Sequence, residues 1–99
     1  METHVISELE IVPIKPRSGL VGFASFVYNQ SIYLRSLGIY TKLGGGYRLA
    51  YPTRNSLGGC INIFYPINRE IADYINNEVI NKFEEVTKPY DRHNSISFK

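Results

Sequence analysis

Residues 65–86, YPINREIADYINNEVINKFEEV, decide the fold, because the hydrophobic period changes within them. Tyr65 precedes Pro66 and is pushed to extended geometry. Asn68 supplies an N-cap side chain, and Glu70 falls in a first turn where the helix dipole favours an acid. Ile71, Ile75, Val79 and Phe83 then recur at i+4, with Ala72 and Val86 beside them. That spacing predicts an amphipathic helix with one apolar stripe from about Arg69 to Val86. Lys88-Pro89 reads as its stop, so residues 1–88 are expected to form the domain and 89–99 a flexible tail.

Upstream of this joint the sequence reads as strands. Cys60 to Tyr65 (CINIFY) predicts a fifth strand with Ile61 and Ile63 on one face, after a polar loop at 53–59 (TRNSLGG). Tyr47 to Tyr51 predicts a fourth, closed by Pro52, and residues 31–41 a third, with Gly38 read as a bulge. Residues 20–28 (LVGFASFVY), rich in β-branched and aromatic side chains, predict a second strand. Residues 5–14 predict the first, with Ser7, Leu9 and Ile11 on one face and Glu8 and Glu10 on the other. Pro13 ends that strand or places it at an edge. Lys15–Gly19, Asn29-Gln30 and Leu43–Gly46 read as the turns between strands. The expected fold class is α+β: a small antiparallel sheet of four to five strands followed by one C-terminal amphipathic helix, which must cover a face of the sheet.

Charge is segregated along the chain. Lys15, Arg17, Arg35, Lys42, Arg48, Arg54 and Arg69 occupy the stretch from Ile11 to Arg69, which contains no acid. Glu2, Glu8 and Glu10 precede it, and Glu70, Asp73, Glu78, Glu84, Glu85 and Asp91 follow. The net charge of +2 therefore hides a basic middle. A sheet built from that middle is expected to present one positive surface, the electrostatic footprint of nucleic-acid binding. Tyr28, Tyr33, Tyr40, Tyr47, Tyr51 and Tyr65 interleave with the cations. Exposed rings stack on unpaired bases, although tyrosines are also ordinary half-buried sheet formers.

Other chemistry finds little support. The single Cys60 allows no intrachain disulfide and no thiolate metal site, and it reads as a small core residue rather than a nucleophile. His4 and His93 stand near the two ends, outside any ligand spacing. Gly44-Gly45-Gly46 lacks the Lys-Ser/Thr and helix of a phosphate loop and reads as a hairpin turn. Glu70 and Asp73 are i, i+3 on the predicted helix, where acids usually complement the dipole. No catalytic constellation, metal or cofactor is expected. No signal peptide or bilayer-spanning stretch is read, and a cytoplasmic location is expected. A chain of 99 residues makes one small domain that gains from dimerisation.

The order of motifs resembles the stage V sporulation protein G (SpoVG) family. Ala50-Tyr51-Pro52-Thr53-Arg54 is similar to that family's Ala-x-Pro-Ser-Lys/Arg motif, and Tyr65-Pro66-Ile67-Asn68 to its His-Pro-Ile-Asn joint. Gly44–Leu49 resembles its glycine-rich turn, and Ile75–Glu84 its helix ending. The likeness runs from about Ser7 to Val86. It implies a dimeric, cytoplasmic, bacterial regulator that binds DNA and RNA and influences septation and sporulation. Arg54 matches the basic position after the proline. Tyr65 stands where the family has His, and Asn55 where it has a second basic residue. The expected phosphate contacts are Arg48, Arg54 and Arg69, supported by Lys42 and Arg35. The alternative is a protein-interaction module that pairs through an exposed strand edge.

Overall fold

The computed structural model describes residues 5–97, and the side chains of residues 5–87. Four strands, β1 (Ile6–Arg17), β2 (Leu20–Tyr28), β3 (Ile32–Thr41) and β4 (Tyr47–Ala50), form an antiparallel meander in the order β1-β2-β3-β4. Two further strands, β5 (Thr53–Ser56) and β6 (Gly59–Asn62), pair only with each other, and α1 (Arg69–Ser97) follows. The α+β class expected from the sequence is the class observed.

The turns explain how the meander closes. Ser18 and Gly19 both have positive φ (53° and 89°) between the paired residues Arg17 and Leu20. Asn29 and Gln30 do the same at φ 50° and 57°, and the Ser31 N–H donates to the Tyr28 carbonyl at 3.0 Å. Two successive left-handed residues give the primed turn whose twist matches that of paired strands. Asn29 also ties down the chain start, accepting from the Val5 N–H through Oδ1 and donating its own N–H to the Val5 carbonyl.

The core lies between α1 and one face of the sheet. Ala24, Phe26, Leu37 and Ile39 from β2 and β3 meet Ile75, Val79 and Phe83 from the helix, all buried. Burying such side chains stabilises by roughly 1.5–3 kcal/mol each. Phe83 approaches the sheet where β2 has Gly22: a Cβ there would lie 3.2 Å from the Phe83 ring and 3.2 Å from the Val12 carbonyl. The same ring meets Tyr47 edge-on at 4.8 Å. At the other end of the helix the Tyr74 hydroxyl accepts from the Ile6 N–H, tying α1 to β1. Asn68 caps the helix as expected, its Oδ1 accepting from the Ile71 N–H at 3.1 Å.

Five expectations are corrected. The first strand runs through Pro13 and Pro16 to Arg17, so only Ser18-Gly19 is turn; β1 is an edge strand, where a missing ladder donor is tolerated. Gly38 is not bulged: it pairs regularly with Phe23 and Ala50, and the extra residue in β3 falls at Arg35-Ser36, opposite Ser25. Residues 53–59 are not a loop, and the fifth strand does not join the main sheet. They form the β5–β6 hairpin, held by backbone pairing with every side chain exposed. Cys60 is therefore exposed rather than core, its Sγ donating to Asn55 Oδ1. The helix also passes the expected stop at Lys88-Pro89 and continues to Ser97. A proline at 89 cannot bond the Glu85 carbonyl and crowds it, but an already nucleated helix gains a bond from each residue added beyond it. Residues 98–99 of the expected tail, His4 and the side chain of His93 lie outside the described residues.

Candidate nucleic-acid interface

With α1 on one face, strand alternation fixes what the other face carries. In β2 the inward set Gly22, Ala24 and Phe26 leaves Phe23 and Ser25 pointing away. In β3 the inward set Leu34, Leu37 and Ile39 leaves Tyr33, Gly38 and Tyr40 outward. Arg48 of β4 pairs with Tyr40, and Val12 of β1 pairs with Phe23, which brings both onto the same open face.

The centre of this face is a cation over a ring. The Arg48 guanidinium carbon lies 4.7 Å from the centroid of Tyr40. Tyr40 in turn lies across Gly38, where a Cβ would approach its ring to 2.9 Å. Gly38 is thus a space requirement, and its lack of a side chain lets the tyrosine lie flat along the strand. Phe23, 39% exposed, forms the wall common to two shallow depressions. One, of about 320 Å³, reaches Glu10, Val12, Arg35 and Ser36. The other, of about 230 Å³, is bordered by Gly38, Tyr40, Ala50, Pro52 and Thr53. The bulge aims Arg35 into the first, with Ser36 at φ 68° absorbing the extra residue.

The structure brings together only part of the expected cation set. Arg35 and Arg48 share the open face. Arg54 follows Thr53 at the border of the second depression, on the exposed β5 strand. Lys42 belongs to the β3–β4 turn, where its N–H and carbonyl bond to Gly46 and Gly45. Arg69 is elsewhere: it opens α1, fully solvated, with Nε 4.0 Å from Asp73. Glu70, Asp73, Glu78, Glu84 and Glu85 also lie on α1, so the linear charge segregation becomes a difference between the helix side and the open face. One acid, Glu10, does reach the open face.

The tyrosines divide as well. Tyr33 and Tyr65 are exposed, whereas Tyr28, Tyr47 and Tyr51 pack against the core. Tyr51 stands where the two sides of the sheet meet, bordering the second depression and an apolar cleft of about 280 Å³ that includes Leu34, Phe64, Pro66, Ile67 and Ile71. Its hydroxyl is buried without a hydrogen-bond partner, and burial pushes its pKa up to about 12. Phe23 was not among the aromatic residues the sequence singled out. The signal was present in the alternation of β2, since Ala24 and Phe26 on the core face require Phe23 on the other.

Among the described residues no group of three or more His, Cys, Asp and Glu side chains is placed to hold a metal, and no helix is long and apolar enough to cross a membrane. The fold defines an α+β protein with a one-sided sheet. No family model matches the chain, and no curated protein matches it.

Proposed function

We propose that this protein is a dimeric, cytoplasmic, non-catalytic regulator that binds DNA or RNA and influences septation, sporulation or gene expression, in the manner implied by its resemblance to the SpoVG family. The observation that carries the reading is the open sheet face, where Arg48 stacks on Tyr40 beside Phe23 and Arg35. Arg48 there attracts phosphate on the side of the sheet opposite the acidic helix, and the exposed Phe23 ring accepts a base. The four-stranded meander followed by a capped helix agrees with the architecture the resemblance implies.

Dimerisation draws support from a second region. The β5–β6 hairpin and the segment after it expose Leu57, Ile61, Ile63 and Ile67. A two-stranded hairpin is marginal by itself in water, and a second copy would bury this apolar surface. A monomeric mass in light scattering at micromolar concentration would refute the dimer.

The binding test is fluorescence anisotropy with labelled nucleic acids at low and physiological salt. Arg48→Glu and Arg54→Glu should each weaken binding to all sequences alike and lower the salt dependence by about one released counterion. Unchanged affinity in both variants would sink the assignment. The protein-interaction alternative rests on β1, a long edge strand. A complex formed through it would persist at high salt, where a phosphate complex fades.

A further inference from the structure

We infer that the open face takes an unpaired nucleic-acid strand, a base stacked against Phe23 beside the Arg48–Tyr40 pair and its phosphates led past Arg48 toward Arg54. This rests on the nucleic-acid reading above and specifies the form of the ligand.

The first argument is by element. Duplex DNA is read in its major groove by an α-helix or a two-stranded ribbon. The one long helix here is committed to the opposite face, with Ile75, Val79 and Phe83 buried beneath it. The one free ribbon is β5–β6, whose tip is Leu57-Gly58 and whose only cation is Arg54. Among the described side chains, which on the helix end at Thr87, neither is equipped to read a groove.

The second argument is by surface. A sheet face suits splayed bases because rings on adjacent strands lie side by side at base-stacking range. Phe23 on β2 is such a ring, and Tyr40 on β3 borders the same depression beneath Arg48. Its floor carries Gly38 and Ala50, paired across β3 and β4, with the Tyr40 ring lying over Gly38. Phe23 also borders the first depression, which makes it the ring between two neighbouring positions.

The third argument is by charge. Arg48 is fixed over Tyr40, so its guanidinium is held at the rim, where a backbone phosphate passes a stacked base. Thr53 at the far border leads into Arg54. At the other end Glu10 opposes Arg35, which disfavours phosphate there and leaves a carboxylate to accept from an exocyclic amino group.

The test uses the full chain and a labelled mixed-sequence strand of about 12 nucleotides, as DNA and as RNA, alone and annealed to its complement. Single strands should bind at least roughly tenfold more tightly than the duplex at physiological salt, as one stacked base contributes about 1–3 kcal/mol. Phe23→Leu should weaken single-strand binding by roughly 5- to 150-fold and leave residual duplex binding unchanged, whereas Tyr40→Leu, which frees Arg48, should weaken both. Circular dichroism of every variant guards against reading lost folding as lost stacking. Duplex binding equal to or tighter than single-strand binding overturns the inference but leaves the nucleic-acid reading standing. So does full affinity in a folded Phe23→Leu protein. Absence of binding by every probe at low salt removes both.

Discussion

The two faces of the four-stranded sheet are made from the same strands, residue by residue, and differ in almost every property. The covered face holds Ala24, Phe26, Leu37 and Ile39 against a helix stripe. The open face holds Phe23, Tyr33, Tyr40, Arg35 and Arg48, with Arg48 laid over Tyr40. An antiparallel sheet can leave one face to water, but such a face is ordinarily small and polar. Here it carries rings and guanidinium groups. The covered face shows what the chain needs in order to fold, and the open one what it has to spare for recognition.

That contrast can be broken by substitution. Phe83→Ala should destabilise the protein by roughly 3–5 kcal/mol, the usual loss for a buried phenylalanine. Phe23→Leu, across the sheet, should cost less than about 1 kcal/mol because the new side chain still covers the strand. Urea unfolding of both variants checks the pair. Equal losses would mean that the open face is buried in solution, and the comparison would collapse.

Tyr51 sharpens the same contrast at its boundary, with a smaller effect. Its hydroxyl is buried without a partner, so Tyr51→Phe should stabilise by about 1 kcal/mol through relief of an unpaired polar group. The pH dependence has a definite sign. A folded pKa of about 12 against the ordinary 10 means that the unfolded chain loses this proton first. The stability linked to Tyr51 is therefore complete below pH 10 and is lost as pH rises toward about 12. Melting curves across that window should fall more steeply for the native protein than for Tyr51→Phe. Parallel curves would show that the hydroxyl reaches water.

How much of this was legible in the sequence follows the same division. The helix stripe at Ile71, Ile75, Val79 and Phe83 and the cap at Asn68 were readable because burial imposes a period. Strands β2, β3 and β4 were readable for the same reason. Of the β5–β6 hairpin only β6 was readable, through Ile61 and Ile63; β5 was not, because residues 53–56 are polar and exposed and no apolar alternation marks them. The continuation of α1 beyond Pro89 was hidden because a proline is a strong local signal, while the cooperativity that overrides it belongs to the whole helix. Of the site, the cations were visible as a charge run, but the run could not say that Arg69 turns away onto α1 while Arg35 and Arg48 share a surface. That sorting depends on strand register, including a bulge that no residue type announces.

The hairpin also gives the molecule a single chemical address. Cys60 is the only thiol in the chain, and it is exposed on β6, outside the buried core. A thiol-reactive dye would therefore attach at one known place without mutagenesis, and its environment would report what approaches the hairpin.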